Sequence, residues 1–479
     1  MTEIRRDVAE ALYGAAAKSP PKGAAPLEPE HLTDLGNSRR LVARYGQDFR
    51  YLAPDGPFLA WDGARFSDDS GEIQLMRWAK ETIRALYPEA AYNYADDETQ
   101  RRALIKHATA SESIRALRAM VTLAQSEPGV PVRPDQLDAD LWLLNVLNGT
   151  LDLRSQELRP HRREDLITKL VPINYEPVAA CPTWRAFLDR VLNGNQRLVG
   201  FMRRYIGYGL TGSTREQVLA VGYGQGANGK TTLIKAAVSI LGDYSQSVPM
   251  DTFLASKHTD TARPDLARLR GARLVAAVES ESGRRFAEAL VKQVTGGDVV
   301  VARRLYREHF EFVPQFKLVI VTNHRPVIKG TDHAIWRRVN LVPFTVTIPP
   351  EERDPELPEK LLEERAGILA WAVEGCAEWQ RIGLNPPEEV RAATASYRQD
   401  MDILGGFVAD TCVEDASAYA SAGALYEAYL AWAHKAGEKV MSQRAFGMAL
   451  AERGFEPDRA GKGRERGYRG ISLNEVLPF

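Results

Sequence analysis

Apolar positions along the chain recur in two rhythms, and the places where the rhythm changes divide it into segments. Over residues 35–45 (LGNSRRLVARY) they fall at helical spacing. Residues 49–66 then alternate short aromatic runs with turn signals at Pro54-Asp55-Gly56 and Asp62-Gly63, the pattern of β-hairpins. Helical periodicity returns over 72–86 and 98–125, and 141–158 reads as strands turning at Asn148-Gly149. Residues 182–212 are again helical. Between 215 and 350, short buried-type strands alternate with helical stretches. A Pro/Glu-rich break follows, then a helical stretch over 368–379. The tail holds two further helices, 422–436 and 442–453. Residues 1–30, rich in Ala, Pro and Gly, read as a flexible lead-in.

Composition narrows the class. The 479 residues are 44% hydrophobic and 26% charged, enough for ordinary cores. With 62 basic against 63 acidic side chains, the net charge of -1 excludes a uniformly basic coat and leaves room for basic patches. Cys181, Cys376 and Cys412 stand far apart without CxxC or Cys/His spacing, so neither a disulfide framework nor a zinc site is expected. Apolar runs such as 318–321 are too short to cross a bilayer, and no signal-type segment follows Met1. A soluble protein of a reducing cytosol is expected.

The chemistry concentrates in the central block. The apolar run 217–223 leads into Gly224-Gln225-Gly226-Ala227-Asn228-Gly229-Lys230-Thr231 and then, from Thr232, a helical pattern. G-x4-G-K-T between a strand and a helix is a phosphate loop. Its glycines let backbone N–H groups turn inward around phosphate oxygens, its lysine reaches the β- and γ-phosphates, and the Thr231 hydroxyl suits Mg²⁺. Such a loop needs an acidic partner at the end of a neighbouring strand. Strand 273–278 ends in Glu279-Ser280-Glu281, one glutamate for the metal side and the other for the attacking water, in either order. Strand Lys317–Thr322 ends in Asn323, whose amide suits the γ-phosphate or the water. Downstream, Arg337 and Arg338 offer guanidinium groups for transition-state charge, acting across a subunit boundary.

The ordered series GQGANGKTT, LVAAVESES, ALVKQVTGGDVVVARRLYREHFEF, KLVIVTNHRP and GTDHAIWRRVNLVPFTVTIP resembles the phage/plasmid branch of superfamily-3 DNA helicases, relatives of the poxvirus-type helicase–primase. Residues 31–180 look like the domain that precedes the motor in that family. The resemblance implies an AAA+-type P-loop NTPase core of α/β class, with an N-terminal α/β or α+β domain (31–180), a helical collar (181–214), the motor (215–350), a helical extension (351–404) and a winged-helix-like module (405–479). It implies a ring, usually a hexamer, that uses ATP and Mg²⁺ to translocate 3′→5′ on single-stranded and forked DNA. By position, Glu279 and Glu281 match the acidic motif, Asn323 the polar sensor, and Arg337 or Arg338 the finger. The segment from Lys292 to Phe312 matches a DNA-gripping hairpin, with Arg303, Arg304, Arg307 and His309 around its tip.

In the tail, Gln443 and Arg444 begin an amphipathic helix, and Lys462, Arg464, Arg466 and Arg469 lie on a Gly-broken basic ribbon, a DNA-phosphate footprint. Asp138-Ala139-Asp140 reads as a polar turn rather than a polymerase-type metal pair, so the chain is expected to be a helicase half without primase activity, served by a separate primase or polymerase. The setting implied is replication of a phage, plasmid or integrated element in a bacterial cytosol, with an origin-binding role open. The alternative is a P-loop initiator or DNA translocase whose ATPase acts as an assembly switch with little unwinding.

Overall fold

A computed structural model of the chain describes residues 30–255, 264–278, 285–303, 309–328, 333–438, 440–460 and 465–474. They form two compact units, one running to Pro177 with Leu241–Tyr244, the other made of Val178–Ile240 and the residues from Ser245 on. The lead-in over 1–29 lies outside the described residues.

In the first unit, helices Asp34–Tyr45, Gly71–Arg84 and Ile114–Ala124 pack together over a small sheet in which Phe49–Leu52 pairs antiparallel with Phe58–Trp61 and parallel with Pro131–Val132. Phe49, Phe58, Leu75, Trp78 and Met120 fill its core. The expected helix over 98–125 is two helices, Glu98–Ser111 and Ile114–Ala124. Ser113 leaves helical geometry and its hydroxyl accepts the Ala116 N–H at 3.3 Å, the cap for which serine is suited. The hairpin expected to turn at Asn148-Gly149 turns one residue earlier, at Leu147-Asn148, because Val146 already pairs with Gly149. Gly149 belongs to the strand: its φ is +155°, and a Cβ there would lie 2.4 Å from the Arg159 carbonyl oxygen.

The second unit is built on a five-stranded parallel sheet. Its strands are β1 (Leu219–Tyr223), β2 (Ser245–Pro249), β3 (Leu274–Val278), β4 (Lys317–Thr322) and β5 (Val339–Pro343), in the spatial order β5-β1-β4-β3-β2. The near-continuous apolar character of β1, β3 and β4 is what a parallel sheet covered on both faces demands. Register fixes where their ends fall. Tyr223 lies opposite Thr322, and Val278 opposite Val321, so three strands release their chains at one edge.

Helices Gln196–Gly209 and Arg365–Ile382 cross at close range. A Cβ on Gly207 would stand 2.2 Å from the Cys376 nitrogen, and one on Gly375 2.2 Å from the Arg203 carbonyl oxygen. Arg203 and Arg204 both reach Glu378 at 2.7 Å across the same crossing. The buried Tyr205 hydroxyl donates to Leu318 O at 2.8 Å and accepts from Ala220 N at 3.0 Å, fastening the helix pair to β4 and β1. Beyond helix Glu388–Met401, the chain runs helix Ile403–Thr411, strand Cys412–Ser421, helices Ala422–Ala436 and Gln443–Glu452, then hairpin strands Glu456–Ala460 and Glu465–Leu473. At its centre Tyr429 stacks on Phe446, and Phe407 meets both rings edge-on. Among the described residues no helix is long and apolar enough to cross a membrane.

Because backbone, not side chain, meets Gly207, Gly207→Ala should lower stability by about 1–3 kcal/mol, read as a lower urea midpoint. An unchanged midpoint would contradict the close crossing.

Candidate functional site

The loop between β1 and helix Lys230–Ser239 is held from three sides. Phe344, just past β5, donates its N–H to Tyr223 O at 2.8 Å, and Ile348 N donates to Ala227 O at 2.7 Å. Gly224 sits where a Cβ would come 2.1 Å from the Phe344 carbonyl oxygen. Gly229 takes φ +79°, and a Cβ on it would lie 2.4 Å from Val191 Cγ1 in helix Pro182–Val191. Glycine is required at both places by contact, and at Gly229 also by the left-handed backbone. The Asn228 side chain, 3% exposed, donates to Gln225 O at 2.6 Å and to Phe344 O at 3.4 Å.

Gly229 is also the N-cap of helix Lys230–Ser239 and supplies no side-chain acceptor. By contrast, Asn195, Ser421 and Ser442 cap their own helices. The first-turn N–H groups of the loop helix therefore open on a cavity of about 320 Å³ with the partial positive charge of a helix N-terminus. Thr231, Thr232, Val278 and Asn323 line it as well.

Lys230 is part of its wall, only 4% exposed. Its ammonium donates to Gly224 O at 2.6 Å, Asn228 Oδ1 at 2.9 Å and Asn323 Oδ1 at 3.2 Å. Burial pushes its pKa below the ordinary lysine value, and among the described residues the partners of its ammonium are neutral oxygens. A buried cation whose neighbours are neutral oxygens gains most from an incoming anion. Asn323 is thus brought against the lysine that follows the glycine-rich loop. Glu279 and Glu281 follow directly on Val278 and lie outside the described residues.

The two arginines separate. Arg338 is 8% exposed and its guanidinium donates to the Ala334 carbonyl oxygen of its own chain. Arg337 is exposed, with one bond at 3.3 Å to Gln217 Oε1. Leu219 N donates to Arg338 O, so both arginines sit at the start of β1 and β5, opposite the edge that bears the loop. A five-residue strand at ~3.3 Å per residue puts ~16 Å between these edges.

The hairpin expected near 292–312 is present. Gly297 ends helix Glu288–Gly296 at φ +81°, and Val300–Arg303 pairs antiparallel with His309–Phe312. Exposed Arg303 and His309 face each other at the last described pair, while Arg304 and Arg307 lie outside the described residues. Lys292 belongs to the preceding helix and is half-buried. In the tail, exposed Gln443 and Arg444 open helix Gln443–Glu452, capped by Ser442. Exposed Arg466 pairs across strands with Arg459, a like-charge juxtaposition that an anion would relieve. Arg469 is bound to Asp458, and Lys462 and Arg464 lie outside the described residues. Asp138 accepts the Thr168 N–H at 2.9 Å, and Asp140 pairs with Arg154 at 2.7 Å; both belong to turn architecture.

One group at the site was not foreseen. Arg325, two residues past Asn323, lies 5.2 Å from the Tyr223 ring and 5.4 Å from the Tyr397 ring, and pairs with Asp400 at 2.7 Å. Buried Tyr397 donates its hydroxyl to Pro326 O and meets Trp336 edge-on at 5.1 Å. Helix Glu388–Met401 thereby clamps the turn that carries Asn323. Its partners lie some seventy residues downstream in sequence, so no local spacing signals them.

Three family profiles match the chain in order: "D5 N terminal like" over residues 38–193, a "Family of unknown function" over 222–338, and "Poxvirus D5 protein-like" over 399–460. "Putative helicase L207/L206" of Acanthamoeba polyphaga mimivirus is 27% identical over 301 residues, 58% of this chain and 31% of that protein. "Putative primase C962R" of African swine fever virus (isolate Tick/Malawi/Lil 20-1/1983) is 24% identical over 309 residues, 59% of this chain and 32% of that one. The chain therefore spans about a third of the length of these curated relatives. The apo A form of the NrS-1 C-terminal region aligns at a TM-score of 0.39 and 12% identity, covering 62% of this chain and 77% of that one.

Arg325→Ala should free the turn at 323–326, read as faster amide hydrogen exchange there with the exchange of β1 unchanged. Equal protection in both proteins would remove the clamp.

Proposed function

The chain carries two D5-type domains, consistent with the poxvirus D5-like helicase–primase family, and on that premise we propose that it is an ATP-driven DNA helicase of a replication system. Its relatives' names support the broad replication role. The observation that carries the finer reading is the placement of Lys230 between the phosphate loop and Asn323, beside an uncapped helix N-terminus. The residues fit a nucleoside triphosphate with Mg²⁺. Gly226 and Gly229 line the cavity with backbone, and Thr231 with one of Glu279 and Glu281 would supply the oxygen ligands a hard divalent cation takes. When bound, the cation offsets phosphate charge.

Lys230 then exchanges neutral acceptors for phosphate oxygens, which draws its depressed pKa back up. Asn323 holds the γ-phosphate or the attacking water, and whichever of Glu279 and Glu281 is free of the metal takes the water's proton. Arg337 is the finger, because it is exposed where Arg338 is buried. Its distance from its own loop requires it to serve a neighbouring copy, which favours a ring, hexameric as the resemblance implies. Arg303 and His309 on the hairpin, with Arg304 and Arg307, grip single-stranded DNA during 3′→5′ translocation. The helix–strand–helix–helix–hairpin order of the tail supports a winged helix that presents Gln443, Arg444 and Arg466 to duplex DNA.

Purified chain should displace a strand from a 3′-tailed duplex only with ATP and Mg²⁺, and Lys230→Ala should abolish both hydrolysis and displacement. DNA-stimulated hydrolysis that never displaces a strand would replace the helicase reading with an assembly switch. For the finger, Arg337→Ala should stop hydrolysis in homogeneous protein and regain part of it when mixed with Lys230→Ala subunits. Full activity of homogeneous Arg337→Ala would place the finger elsewhere.

A further inference from the structure

The hairpin and the tail are the cationic regions that the sequence singles out, but the first unit carries another. Helix Gly71–Arg84 buries Leu75, Trp78, Ala79 and Ile83 against its core. On the opposite face Ile73, Arg77, Lys80 and Arg84 recur at i, i+4, i+7 and i+11, one stripe along a 3.6-residue repeat, and all four are exposed. Of its acids Glu72 lies off the stripe, while Glu81 borders it four residues after Arg77 and accepts the Tyr45 hydroxyl at 2.9 Å. The neighbouring helix Ile114–Ala124 buries Leu117, Met120 and Ala124 and exposes Arg115 and Arg118.

Among the described residues, none of these five cations is paired with a carboxylate. That is not the rule in this unit. Arg102 pairs with Glu98 at 2.6 Å, Arg154 with Asp140 at 2.7 Å and Arg159 with Asp165 at 2.8 Å. In a chain of 62 basic and 63 acidic side chains, five exposed cations without carboxylate partners on two adjacent helices are a local excess of positive charge, which a polyanion relieves.

We propose that the outward faces of these two helices are a contact surface for the DNA sugar–phosphate backbone, additional to the hairpin and the tail. The proposal rests on DNA being the chain's substrate. Dimensions and chemistry agree with it. Arg77 and Arg84 are seven residues apart, about 10.5 Å along the helix at ~1.5 Å per residue, which spans about three phosphates at ~3.4 Å of rise per strand. The exposed apolar side chains, Ile73 at 61% and Ile114 at 57%, stand at the first turns of their helices. Such a face lacks the apolar centre on which a protein partner is anchored, and cations on rigid helices read phosphate without reading sequence.

The test uses the full chain with Arg77, Lys80 and Arg84 all changed to Gln, exposed positions where the change leaves packing intact. DNA affinity of this variant and of the wild type is measured by fluorescence anisotropy on a forked duplex from 50 to 200 mM salt, beside hydrolysis without DNA. The variant should bind more weakly, and its plot of log affinity against log salt should be shallower by about 2.7, roughly 0.9 for each lost phosphate contact. Hydrolysis without DNA should be unchanged. Arg115→Gln/Arg118→Gln should flatten the slope by about 1.8 on the same basis. A wild type that binds DNA beside variants of unchanged slope overturns the surface and leaves the helicase reading intact. A wild type that binds no DNA overturns that reading and the surface's ligand with it. An unchanged slope together with lost binding to polyglutamate assigns the face to an acidic polypeptide instead.

Discussion

Everything at the candidate site depends on one buried ammonium group reaching across two strands. Lys230 begins its helix directly behind β1, and its hydrogens go to the loop carbonyl of Gly224, to Asn228 and to Asn323. That reach exists because β4 lies beside β1 in parallel, with Thr322 opposite Tyr223, so that the next residue of each strand leaves the sheet at one level. A register shift of one residue would turn the β4 side chains to the other face and take Asn323 out of range. Contacts elsewhere maintain that register. Tyr205 fastens β1 to β4, and Phe344 ties the loop to the chain beyond β5.

The same sheet separates the candidate groups between its two edges. Strand direction places the loop and Asn323 at the C-terminal ends, and Arg337 at the N-terminal end of β5. A parallel sheet keeps those two edges ~16 Å apart within one chain. Between the edges, helix Glu388–Met401 touches both sets of groups. Tyr397 packs on Trp336, one residue before Arg337, and holds the Pro326 carbonyl three residues past Asn323. Asp402, just past that helix, is bound by the Arg453 guanidinium at 2.7 and 2.9 Å, so the same segment also anchors the C-terminal helices.

Much of this was legible in the residues, for physical reasons that differ from place to place. Strand Lys317–Thr322 was bounded to the residue because its apolar run is short and closes on a turn. The strand–loop–helix around residues 224–230 was legible because an apolar run, closely spaced glycines and a helical pattern follow one another. The single helix expected over 98–125 failed because periodicity continues through a serine that prefers to cap. The hairpin turn slipped by one residue because Gly149 answers to a neighbouring strand rather than to its own turn. Arg325 was invisible, since its partners Tyr397 and Asp400 come from a distant helix, and the different burial of Arg337 and Arg338 is something adjacent identical residues do not reveal.

Charge segregates in this chain rather than accumulating. A total of -1 coexists with cations on the hairpin, on the C-terminal strands and on the outward helices of the first unit. The central claim, however, concerns phosphate at Lys230, and calorimetric titration of the purified chain with ATP and MgCl₂ tests it most directly. Saturable binding of one nucleotide per chain, displaced by inorganic tripolyphosphate, is the expected result. Absence of saturable binding, or binding that tripolyphosphate leaves untouched, would contradict it.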